Sequence, residues 1–122
     1  MTWIDVVALA SELPGVEQST AYGAPALKVG GKLIACQPAN LQTRDGGRVV
    51  VLFDVELDER ATLVEAEPEL FFFNDHFRNY PAVLVRLPDA DPERLRPYLE
   101  RSWRLRAPKR LVRARDAESR GA

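Results

Sequence analysis

The sequence predicts an α+β domain in which helices pack on one face of an antiparallel β-sheet, in the order α-β-β-β-β-α-β-α. Three observations predict it. Apolar residues recur at helical spacing near both ends of the chain. Short β-branched and apolar runs fill the segment between. Those runs lie too close together for the crossovers that a parallel sheet requires.

Thr2 is placed to cap a first helix, with Asp5 in the reciprocal position of a capping box. Trp3, Val6, Val7, Ala10 and Leu13 form its inward stripe, and Pro14-Gly15 ends it. From Val16 to Phe53 the texture is that of strands. Ala26, Leu27 and Val29 precede Gly30-Gly31, and Leu33 to Cys36 follow, which reads as a β-hairpin with a tight turn. Pro38 to Gly47 is a polar loop, and Val49-Val50-Val51-Leu52-Phe53 is the strongest strand in the chain.

Asp58 is expected to cap a helix reaching about Glu67, with Leu63 and Val64 inward and Pro68 as its stop. The segment from Leu70 to Pro81 is aromatic and irregular, a packed loop before a last strand at Ala82–Leu87. Asp91-Pro92 opens the final long helix, whose inward stripe is Leu95, Tyr98, Leu99, Ser102 and Trp103. Pro108 breaks it. Residues 109–115 are expected to form a short helical turn and 116–122 a frayed, disordered tail, so the domain is placed at 1–115.

The chain of 122 residues fits one domain, and 46% hydrophobic against 29% charged residues allows a core with a soluble surface. No apolar run approaches the ~20 residues of a membrane span, so no membrane partner is expected. The N-terminus lacks the pattern of a secretory signal, and Cys36 is the single cysteine. Together these imply a protein of the bacterial-cytosol type.

The net charge of −1 conceals an asymmetry. Residues 1–93 carry 7 Lys and Arg against 15 Asp and Glu, whereas residues 94–122 carry 10 against 3. Such a basic end suits a polyanion. Arg94, Arg101 and Arg104 fall on one side of the last helix, and Lys109, Arg110, Arg113 and Arg115 extend the basic region past Pro108. Lys28 and Lys32 flank the hairpin turn and add charge at its tip. These nine residues are the candidate nucleic-acid-binding set, through phosphate contacts in the absence of any base-reading motif.

No catalytic residue, metal ligand or cofactor is assigned. His76 is the single histidine, and nothing in the sequence links it to Cys36 or to a serine as a nucleophile's base. Gly30-Gly31 is followed by no Gly-Lys-Ser/Thr and is no phosphate loop. Asp54, Glu56, Asp58 and Glu59 form an acidic segment whose simpler role is at a helix N-terminus.

The stretch Leu13-Pro14-Gly15-Val16-Glu17, with Tyr22-Gly23-Ala24-Pro25-Ala26-Leu27-Lys28-Val29-Gly30-Gly31-Lys32-Leu33-Ile34-Ala35, resembles the N-terminal signature of the MmcQ/YjbR family. The resemblance continues to a closing helix with a Ser-aromatic pair, here Ser102-Trp103. It implies a frataxin-like (CyaY-like, double-wing) fold and a small non-enzymatic protein binding DNA weakly and without sequence preference. Two alternatives stand beside that reading. One is a protein- or ligand-interaction module, monomer or dimer, using the aromatic loop 71–80. The other is frataxin-like metal binding through the acidic segment.

Overall fold

The computed structural model describes residues 1–121. It contains six strands, β1 (Val16–Ala21), β2 (Ala24–Val29), β3 (Lys32–Cys36), β4 (Val49–Phe53), β5 (Phe71–Phe72) and β6 (Ala82–Arg86). They form one antiparallel sheet in the order β1-β2-β3-β4-β6-β5. Five helices accompany it, α1 (Trp3–Ala10), α2 (Leu41–Arg44), α3 (Leu57–Ala66), α4 (Pro92–Arg106) and α5 (Lys109–Gly121). The α+β class, the antiparallel sheet and the four strands ahead of α3 are as the sequence predicts.

The reason β4 reads as an unbroken apolar run is its central place. Every one of its residues is buried, because both faces of the sheet are covered there. Val50 and Leu52 join Val83 and Val85 of β6 in the main core beneath α1 and α4. Val49, Val51 and Phe53 join Ala82 and Leu84 in a smaller cluster on the reverse face. Phe77, from a single 3-10 turn ahead of β6, packs on that reverse face.

Local signals set the helix ends. The Thr2 amide donates to Asp5 Oδ2 at 2.8 Å, and Asp91 Oδ1 accepts the Glu93 amide at 3.0 Å ahead of Pro92. Helix α3 begins one residue before the expected cap, with Glu56 as its N-cap, while Asp58 Oδ1 instead accepts the Glu59 amide.

The fully buried Trp103 ties the two ends of the fold together. Its Nε1 donates to the Pro14 carbonyl at 2.8 Å, so the closing helix holds the turn that follows α1.

The largest departure from expectation is at the C-terminus. Where the sequence suggests a short helical turn and a frayed tail, residues 109–121 form a continuous helix; the tail's last residue, Ala122, lies outside the described residues. Leu111 and Val112 pack against the main core, and Arg104 grips Asp116 at 2.8 and 3.2 Å. Gly15 makes room for this packing: a Cβ there would lie 2.8 Å from Leu111 Cδ1.

Candidate nucleic-acid interface

The basic residues begin from the joint between α4 and α5. Gly30 and Gly31 of the β2–β3 turn both have positive φ, 56° and 76°, a conformation that favours glycine. The tight turn lets Gly30 approach Pro108, and a Cβ on Gly30 would lie 3.4 Å from its Cδ. That contact sets Lys32, the first residue of β3, beside the start of α5.

The result is an open groove of about 580 Å³. Lys32, Arg104, Arg106, Lys109 and Arg113 line it, with Leu105 and Val112 as apolar surface, and among the described residues no carboxylate lines it. The first turn of α5 borders the groove and adds the positive end of the helix dipole.

The nine candidate cations separate into two groups. Arg94 is fork-bonded to Glu67 at 2.9 and 2.6 Å. Arg101 binds Glu59 at 2.7 and 3.1 Å and the Asp54 carbonyl at 2.9 Å. Arg104 binds Asp116 and Glu100, and Arg115 binds Glu100 at 3.3 Å. Hydrogen bonds to these carboxylates raise the pKa of Arg94, Arg101 and Arg104, and they hold Glu67 and Asp116 below the usual carboxylate range. In these residues the charge is committed to holding α3, α4 and α5 together.

Lys32, Lys109, Arg110, Arg113 and Lys28 form no ion pair among the described residues. Lys32, Lys109 and Arg113 share the groove, and Arg110 is exposed beside them on α5. Lys28 does not line it. Its neighbours Leu27 and Val29 enter the core under the helices, so alternation along β2 turns Lys28 to the reverse face.

Two site-building residues escape sequence reasoning. Asp54 follows β4 with a φ of +63°, unusual for a residue other than glycine. Ser102 Oγ donates to its Oδ2 at 2.8 Å, Arg106 forms an ion pair with the same oxygen, and Arg101 binds its carbonyl. The Ser102-Trp103 pair is the only sequence signal for this lock. The second residue is Arg60, buried in α3, whose guanidinium donates to the carbonyls of Phe77, Arg78, Tyr80 and Ala82. Nothing in the spacing around Arg60 announces that role.

The acidic segment is therefore largely occupied. Asp54 and Glu59 serve Arg106, Ser102 and Arg101, and among the described residues no three His, Cys, Asp or Glu side chains group to hold a cation. No helix among the described residues is long and apolar enough to cross a membrane.

Comparison with known proteins bears on the family and the fold. Uncharacterized proteins of Mycobacterium tuberculosis and Mycobacterium bovis are 33% identical over 124 residues, covering 93% of this chain and 94% of theirs. A crystal structure of a Deinococcus radiodurans protein with a DUF419 domain superposes with a TM-score of 0.66 at 20% identity. That match covers 86% of this chain and 78% of the other, and it supports the fold. The YjbR family model matches residues 11–105, which span both the Leu13–Ala35 block and the Ser102-Trp103 pair that Trp103 joins in space. The chain belongs to the YjbR family.

Proposed function

We propose that this protein binds nucleic acid weakly and without sequence preference, through phosphate contacts in the groove between the β2–β3 turn and the α4–α5 joint. One observation carries the reading: Lys32, Lys109 and Arg113, which form no ion pair among the described residues, share one groove lined by none of the described carboxylates. Lys32, Lys109 and Arg113 are its free charges, and Arg110 extends them along α5. The ion-paired Arg94, Arg101, Arg104 and Arg115 serve as scaffold in this reading, and Lys28 stands apart from it.

The reading is one of binding and not of catalysis. Cys36 is the chain's sole thiol, and burial pushes its pKa up to about 11, which keeps it protonated and poorly nucleophilic. A free, buried cysteine suits a cytosolic setting, where nucleic acid is at hand.

Four phosphate contacts would make log K fall with log salt at a slope of about −3.6 on duplex DNA, roughly a 100-fold loss between about 50 and 200 mM salt. Fluorescence anisotropy with labelled single- and double-stranded DNA at those two salts tests this. Micromolar binding with that steepness supports the groove. An absence of binding at the lower salt refutes it.

A further inference from the structure

The groove at the α4–α5 joint has an apolar lining that phosphate contacts leave unused. Leu105, in the last turn of α4, lines it beside Ala107, Pro108 and Val112 and is 65% exposed. Single exposed apolar side chains are ordinary on a protein surface. This one lies among the unpaired charges of Lys32, Lys109 and Arg113. Its flanking arginines leave it bare. Long arginine stems commonly lie over neighbouring apolar surface. Here Arg104 is drawn to Asp116 on α5 at 2.8 Å, and Arg106 to Asp54 after β4.

Cations around bare apolar surface suit one form of nucleic acid better than the other. A duplex stacks its bases inside and turns phosphate and sugar outward, so a protein meets base edges only within the grooves. The β2–β3 turn does not project as a free ribbon that could enter one. It rests on the helix joint, where a Cβ on Gly30 would lie 3.4 Å from Pro108 Cδ. A single strand offers a phosphate and an unstacked base on each nucleotide, and the base face can pack on a side chain beside the cations.

We propose that the groove selects single-stranded over double-stranded nucleic acid, with phosphates on Lys32, Lys109 and Arg113 and an unpaired base packed on Leu105. The inference rests on the nucleic-acid reading of the same groove and names the form of nucleic acid that it takes. Among the described residues no aromatic ring lines the groove, so the platform is aliphatic. It buries the face of a base without reading its edge, which is consistent with binding that tolerates any sequence.

The test is anisotropy of the full chain with a labelled oligothymidine of about 12 nucleotides and a duplex of equal length, each across a salt series. Leu105 is exposed, so its substitution leaves the core intact. Leu105→Ala should weaken the single strand about fivefold at every salt, the value of losing modest apolar burial. Its salt slope should not change, because an apolar contact releases no counterion. Duplex affinity should stay as in wild type. Leu105→Trp should strengthen the single strand by stacking and leave the duplex unaffected. Equal weakening of both forms by Leu105→Ala, or of neither, would overturn the selection while leaving the groove as a phosphate site. No binding of either form at about 50 mM salt would overturn the groove reading and this inference with it. Pelleting with phosphatidylglycerol vesicles that depends on Leu105, with no oligonucleotide bound, would overturn both in favour of an anionic lipid surface.

Discussion

Arg60 Nη1 donates to the Phe77 carbonyl at 2.7 Å, across 17 residues of chain. The same nitrogen reaches the carbonyls of Tyr80 and Ala82 at 3.1 and 3.2 Å, and Nη2 reaches that of Arg78 at 2.7 Å. The Phe73 ring lies 4.1 Å from the guanidinium carbon and adds a cation–π contact. A buried guanidinium is thus matched by backbone dipoles and an aromatic face in place of a carboxylate. Burial first, and the Arg78 charge second, lower its pKa, but arginine remains cationic at neutral pH. One side chain of α3 thereby fixes the course of the aromatic loop.

Arg60→Ala should destabilise the fold by about 2–4 kcal/mol, since several carbonyls lose a charged donor at once. Arg60→Lys should recover only part of that, because an ammonium cannot spread its donors as the guanidinium plane does. Urea unfolding of the three proteins measures both differences. Full recovery by lysine would show that charge alone suffices.

The sequence and the structure agree wherever the determinant is local. The Thr2/Asp5 box, the Asp91-Pro92 start, the Gly30-Gly31 turn and the apolar β4 run each depend on neighbours a few residues apart, and each appears where expected. The ion pairs are of another kind. Arg94 meets Glu67 across 27 residues and Arg101 meets Glu59 across 42, distances at which helical spacing shows a basic face but not its partners. Hence the basic stripe of α4 was legible and its neutralisation was not. Of helix α5 only a short helical turn at 109–115 is legible, for a similar reason. Its apolar content is slight, and its order draws on Leu111 against Gly15 and Asp116 against Arg104, both non-local.

Trp103→Phe keeps a large ring in the core and removes the donor to Pro14. The stranded carbonyl should cost about 1–3 kcal/mol in chemical unfolding. A neutral result would mean that the ring, and not its N–H, joins the closing helix to the α1 turn.

Gly15→Ala meets two penalties, a φ of +76° and the Leu111 methyl at 2.8 Å. It should cost about 1–3 kcal/mol. A double-mutant cycle with Leu111→Ala separates the two: the steric part should vanish in the Leu111→Ala background while the backbone part remains.

Asp116 is held below its ordinary pKa, chiefly by its hydrogen bonds to Arg104. A carboxylate depressed in the folded state adds stability above its unfolded pKa and loses it as pH falls through the folded pKa. Asp116→Asn should therefore be less stable than wild type at neutral pH, and the two should converge as pH falls below the normal aspartate range. Thermal unfolding across that range, with amide exchange in α5, measures the convergence. A difference independent of pH would assign the effect to packing.

The most direct test of the groove compares two lysines four residues apart on one hairpin. Lys32 lines the groove with Lys109 and Arg113, whereas Lys28 faces the other side of β2. DNA affinity is measured by anisotropy across a series of salt concentrations for wild type, Lys32→Ala and Lys28→Ala. Loss of one phosphate contact should lower the salt slope by about 0.9 in Lys32→Ala and leave it unchanged in Lys28→Ala. Equal losses in both variants, or none in Lys32→Ala, would contradict the groove as the binding site.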